Sequence, residues 1–210
     1  MVKGKIITKE EFLEHIAKET ARMSSPGSFY GRVLRDKKTK EKVTNFFIEI
    51  FPIKGLWNHK LQSRNYKNWH KRRISDLGTI INGHIKPLPK KSPKTSFSIA
   101  AKLLDTFMYQ LMKYERFRYL YKALYLPLDR GALSQLSRKT IKGVEVPKKL
   151  NSIATHYWDN PYSIPLKQYM NIQKELIELL IELLKRFNNN LPKDCRLRAR
   201  IELNCILWPK

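Results

Sequence analysis

Apolar residues along this 210-residue chain recur mostly at intervals of three and four, the spacing of a helical face rather than of a strand. Thr8 with Glu11 three residues later is a capping-box pattern, and Phe12 and Ile16 follow at helical spacing. A first helix is therefore predicted from there to about Met23, where Ser24-Ser25-Pro26-Gly27-Ser28 supplies loop chemistry. Two runs rich in aromatic and β-branched residues, Phe29–Arg35 and Val43–Phe51, flank the basic turn Asp36-Lys37-Lys38-Thr39-Lys40. They predict a small N-terminal β-hairpin, although the second run is equally compatible with a short buried helix. From Trp57 to Ile81 helical spacing returns. Tyr66, Trp69, Ile74, Leu77 and Ile81 fall near one side, Lys67, Lys71, Arg72 and Arg73 largely elsewhere, and Gly83 stops the helix.

Between Lys86 and Lys94 three prolines within seven residues rule out helix and mark an extended basic linker. It divides the chain into a basic N-terminal lobe (1–85), a linker (86–94) and a helical core (95–210). In the core, Ile99, Leu103, Leu104, Phe107, Leu111 and Tyr114 form the inner side of a helix over Ser96–Tyr114. Arg116–Leu126 is predicted as a second helix, ended by Pro127, and Gly131–Ser137 as a short element opened by Asp129. Ser163-Ile164-Pro165 opens the strongest helical pattern, Leu166–Phe187, with Gln173 as one polar break in its stripe. Ile172, Leu179 and Ile181 broaden that stripe, which suits a central packing helix better than a two-stranded coiled coil. A last helix is predicted over Cys195–Ile206. The expected fold class is mainly α.

Charge changes the picture more than any other property. Forty-two lysines and arginines against eighteen acids give a formal net charge of +24. The excess is +14 over residues 1–95 (22 basic, 8 acidic), +7 over 96–150 (11 and 4) and +3 over 151–210 (9 and 6). A surface this basic repels itself and is relieved by a polyanion, and each phosphate neutralised releases condensed counterions. Nucleic acid is the expected partner, DNA ahead of RNA. A membrane is not expected: the greasiest run, Leu176–Leu184, is interrupted by Glu178 and Glu182, far short of the roughly 18 uncharged residues a span needs. Lys3, Lys5 and Lys9 precede no apolar stretch of the kind a secretory signal has, and Cys195 and Cys205 form neither a disulfide framework nor a zinc pattern. A cytoplasmic protein without cofactor or metal is the simplest expectation.

Basic clusters suited to backbone phosphates are Lys71-Arg72-Arg73, the linker with Lys90, Lys91 and Lys94, and Arg138-Lys139 with Lys142, joined by Arg130. Trp57, Tyr66, Trp69 and Phe97 lie among them, as where bases stack or a wedge opens a duplex, although such rings are more often core. None of His15, His59, His70, His84 and His156 has a histidine four residues on, only His15 has a carboxylate there (Glu19), and no phosphate-cradling glycine motif occurs. One pair stands out. Lys102 sits on the flank of an otherwise apolar helix, and Asp129, 27 residues on (129 − 102), precedes a helical run. A lysine among apolar groups is biased towards its neutral, nucleophilic amine, able to attack a sugar C1′ and hold it as a Schiff base. An aspartate at a helix N-terminus stays ionised and can oppose the positive charge of a breaking glycosidic bond.

The stretch Ala101-Lys102-Leu103-Leu104-Asp105 followed by Leu126-Pro127-Leu128-Asp129-Arg130 resembles the catalytic segment of helix-hairpin-helix DNA glycosylases of the 8-oxoguanine type. It also resembles a group of small helical proteins with an Ala-x-Lys helix and a Pro-Leu-Asp motif, and the closing Glu202-Leu203 and Leu207-Trp208 are similar to that group as well. The resemblance covers residues 95–137 and the tail. It implies a helix-hairpin-helix core, with Lys102 as Schiff-base nucleophile and Asp129 as transition-state stabiliser in a DNA glycosylase with AP lyase activity acting in DNA repair. The glycosylase hairpin reads Leu-x-Gly-x-Gly before the lysine, whereas here Thr95-Ser96-Phe97-Ser98-Ile99 has no glycine. Two other readings remain. One is a non-enzymatic nucleic-acid-binding module of viral, plasmid or defence origin. The other is an interaction protein that forms a homodimer through its long C-terminal helix.

Overall fold

The Thr8 amide donates to Glu11 Oε2 at 2.8 Å and the Glu11 amide to Thr8 Oγ1 at 3.2 Å, so the capping box forms as written in the sequence. It starts helix α1 (Lys9–Ser24), whose Phe12 is fully buried. The computed structural model describes residues 6, 8–24, 34, 36–53, 56–58, 61–84, 96–187, 199–203 and 207.

The N-terminal hairpin is replaced by helix. Val43–Phe51 lies within α2 (Lys37–Ile53), and of Phe29–Arg35 only Leu34 is among the described residues. Asp36 decides the matter. Its carboxylate accepts the Thr39 amide at 2.7 Å and the Thr39 hydroxyl at 2.9 Å, an N-cap that nucleates helix ahead of the β-branched run. Val43, Phe46 and Phe47 then share one buried face at intervals of three and one.

Helix α3 (Tyr66–Ile81) is shorter at its start than Trp57–Ile81 predicts. Leu56 and Trp57 are held instead against a 3-10 turn at Glu115–Leu120. Arg116 Nε donates to the Trp57 carbonyl at 2.7 Å with its guanidinium 4.3 Å from the Trp57 ring, and the Tyr119 hydroxyl donates to the Leu56 carbonyl at 3.3 Å. Burial pushes the Tyr119 phenol up to about 12 against the lowering influence of Arg116. That 3-10 turn replaces the helix predicted over Arg116–Leu126. Leu124, Tyr125, Leu126 and Leu128 are all buried in an extended run, which one helical face could not achieve, and Pro127 disfavours helical geometry at Leu126.

Helix α4 (Ser96–Leu111) is the axis of the core, with Ile99, Ala100, Ala101, Leu103 and Leu104 fully buried. After the extended run come α5 (Arg130–Leu136), an antiparallel pair β1 (Thr140–Ile141) and β2 (Val144–Glu145), α6 (Lys148–Tyr157) and α7 (Leu166–Phe187). Thr140 pairs with Glu145 and Ile141 with Val144. The two loop residues, Lys142 (φ 48°) and Gly143 (φ 78°), both take the left-handed conformation that a tight hairpin turn demands. Neither this hairpin nor α6 is predicted from the pattern above. Their signals are a Lys-Gly step between Ile141 and Val144, and Leu150 and Ala154 four apart after Pro147. Of the predicted helix Cys195–Ile206, residues 199–203 are described and end in a 3-10 turn, Arg200–Leu203. The linker 86–94 lies outside the described residues. The chain is mainly α, and its buried apolar cluster draws on both sides of that segment.

A polar group sits inside this core. His70 of α3 and Asp105 of α4 are wholly buried, with Nε2 2.6 Å from Oδ1, and the Tyr169 hydroxyl of α7 donates to Asp105 Oδ2. Three helices are thereby tied through one carboxylate. Removing it by Asp105→Ala is expected to cost about 3–5 kcal/mol, because two buried polar groups lose their partner. A urea melt with unchanged slope and lowered midpoint checks this. Asp36 gives a pH signature. The Thr39 amide and hydroxyl, and then His84 with Nδ1 3.0 Å away, hold its carboxyl below the ordinary range. A group lowered on folding stabilises fully above its unfolded pKa, 3.8, and loses that contribution as pH falls through the folded value. Urea midpoints of wild type and Asp36→Asn should therefore differ at pH 7 and converge in acid.

Candidate functional site

The extended run ending at Asp129 returns the chain to α4. Gln173, the polar break in the apolar stripe of α7, is what fixes that run in place. Its Oε1 accepts the Leu126 amide at 3.0 Å and its Nε2 donates to the Leu126 carbonyl at 2.6 Å, both buried. Three residues on, Asp129 caps α5, its Oδ1 accepting the Ala132 amide at 2.9 Å. The other carboxylate oxygen, Oδ2, stands 3.6 Å from Lys102 Nζ.

Lys102 occupies the edge of α4 facing this cap. Its side chain keeps 15% of its surface exposed and that of Asp129 25%, so the pair is reachable at the margin of the core. The ammonium also donates to the Tyr162 hydroxyl at 3.3 Å and lies 5.5 Å from the centre of that ring. Tyr162 belongs to a 3-10 turn (Pro161–Ser163) between α6 and α7. From the same connection Trp158 and Asp159 hold Arg130: its guanidinium is 5.3 Å from the Trp158 ring centre and 3.4 Å from Asp159 Oδ1. An amine, a carboxylate able to exchange protons with it, a phenol and a mostly exposed guanidinium are thus gathered at one place. This set can bind an anion, and it can hold a nucleophile next to a proton acceptor.

No protein-family model, curated protein or solved structure matches the chain. The glycosylase resemblance therefore stands on the residues quoted for it. Where that family places hairpin glycines, Ser96–Ile99 are already the first turn of α4.

The other predicted nucleic-acid contacts are distributed. Lys71 and Arg72 are exposed on α3, whereas Arg73 turns to Asp76 at 3.0 Å with 17% of its side chain exposed. Arg138 and Lys139 are exposed just before β1, and Lys142 is exposed in the hairpin turn. Lys90, Lys91 and Lys94 lie outside the described residues. The stripe of α7 is spent on the chain's own core through Ile172, Leu176 and Leu179, while Ile177 and Ile181 remain exposed. Among the described residues no three His, Cys, Asp or Glu side chains gather as for a metal, and no helix is long and apolar enough to cross a membrane.

Of the aromatics singled out by sequence, Tyr66 is buried in the core and Trp57, Trp69 and Phe97 pack against it. Trp158, Asp159, Tyr162 and Gln173 are the site residues that pattern reading passed over. The turn chemistry of Asp159-Asn160-Pro161 beside a tryptophan was the available signal for the first three. For Gln173 it was the polar break itself. Gln173→Leu is expected to lower stability by about 1–3 kcal/mol for each buried Leu126 group left unpaired, read as a shift in urea midpoint.

Proposed function

We propose that the protein binds DNA and acts on abasic or base-damaged nucleotides as a glycosylase with AP lyase activity. The observation that carries this reading is the 3.6 Å separation of Lys102 Nζ and Asp129 Oδ2 at the margin of a +24 chain, with Arg130 beside them. The target nucleotide leaves the base stack to reach the pair. As the bond from C1′ to the base breaks, its electron pair leaves with the base, which takes a proton from the Lys102 ammonium. The Asp129 carboxylate opposes the positive charge on the sugar. The freed amine adds to C1′ and passes a proton to Asp129. The C1′–O4′ bond then opens, O4′ takes that proton, and an iminium joins Lys102 to the sugar. Removal of a C2′ proton by Asp129 expels the 3′ phosphate and nicks the strand, and water releases Lys102.

The burial of the pair supports a second reading. With three-quarters or more of each side chain covered, Lys102 and Asp129 can serve as a tie between α4 and α5 in a DNA- or RNA-binding module without chemistry.

Borohydride trapping on a duplex with one abasic site separates the two. The enzyme reading expects a covalent adduct with wild type, lost at least 100-fold in Lys102→Ala and slowed in Asp129→Asn. A wild type that binds without trapping, or a Lys102→Ala variant that traps equally, overturns it in favour of the binding module.

A further inference from the structure

Trp158 is the one large aromatic side chain that the connection between α6 and α7 leaves open, with 36% of its surface exposed at the C-cap of α6. Its position is fixed: the Trp158 amide donates to the Ala154 carbonyl at 2.8 Å. Its neighbours matter more than its exposure alone, since isolated surface aromatics are common. Arg130 follows Asp129 directly in the chain, its guanidinium lies over the Trp158 ring 5.3 Å from the ring centre, and Asp159 takes the same guanidinium at 3.4 Å. Two-thirds of the Arg130 side chain (66%) nevertheless stays exposed. The cation is held from behind by an indole and a carboxylate and presented outward, which reduces the rotamer freedom it would lose on meeting a phosphate. Four residues after Trp158, Tyr162 contacts Lys102. The indole and guanidinium are thus linked to the Lys102–Asp129 pair twice, through Arg130 next to Asp129 in the chain and through Tyr162 on the turn after Trp158.

We propose that Trp158 and Arg130 form a nucleobase-stacking platform beside the Lys102–Asp129 pair. The indole takes an unpaired base on its open face, and Arg130 takes the adjoining phosphate. The ligand class is a nucleic-acid strand with at least one unstacked base, because an indole offers no hydrogen-bond code and stacks any base, whereas a paired duplex presents no free ring face. The platform rests on the nucleic-acid reading above but not on Schiff-base chemistry at Lys102.

The indole is its own probe. Oligothymidylate and a duplex with one abasic site are titrated into the full chain, following intrinsic tryptophan fluorescence and binding by anisotropy of a labelled strand. Wild-type fluorescence should be quenched on binding. Trp158→Phe should bind within about twofold yet lose most of the quench, because the ring remains and the fluorophore does not. Trp158→Ala should bind about 5- to 100-fold more weakly. Borohydride trapping is scored separately on wild type: a wild type that binds and is quenched without trapping keeps the platform and loses the lyase, so the two failures give different results. The proposal is overturned if Trp158→Ala binds as wild type, or if Trp158→Phe keeps the full wild-type quench, which would then belong to Trp57, Trp69 or Trp208. Absence of any oligonucleotide binding overturns both the platform and the nucleic-acid reading.

Discussion

A carboxylate shut away from water has to be satisfied by groups brought to it, and Asp105 obtains them from two other helices. His70 of α3 and Tyr169 of α7 meet its two oxygens, so α3, α4 and α7 share a fixed rotation and register. Around this group the rings of Tyr66, Tyr125 and Tyr169 pack on His70, with centroids 4.5–6.3 Å away. Hydrophobic packing alone would tolerate sliding between such helices. A buried network tolerates far less.

The candidate site follows from that constraint. Lys102 lies one helical turn before Asp105 on α4, so the rotation that buries the aspartate sets the lysine on the rim. Gln173 lies one turn after Tyr169 on α7, and the same register delivers its amide to Leu126. The extended run held there carries Asp129 to Lys102. Two polar residues on apolar faces, Asp105 and Gln173, are thus what place the pair.

The charge acts on a different scale. Self-repulsion among 42 basic side chains opposes the compact state, and the structure answers it only locally, through pairs such as Arg73–Asp76, Arg130–Asp159 and Lys149–Glu175. A pair exposed at both ends, such as Arg130–Asp159, contributes little. The excess of cations is a property of the whole chain. The Lys102–Asp129 pair, by contrast, is confined to the edge of α4 that faces the cap of α5.

Sequence by itself determined what local physics determines. The Thr8–Glu11 cap, the mainly helical class, the long stripe of α7 and the cap at Asp129 depend on groups a few residues apart, and so does the inclusion of Lys102 and Asp129 as candidates. Where the pattern misled, a distant partner intervened: Arg116 and Tyr119 hold residues 56 and 57 away from α3, and burial on all sides stretches 124–128 into an extended run. Only the tertiary structure decided that Lys102 and Asp129 meet, that His70 serves the core, and that Trp158 and Arg130 border the pair. These juxtapositions join residues 27 to 64 positions apart, and periodicity along a chain carries no information about contacts between helices that fold back on one another.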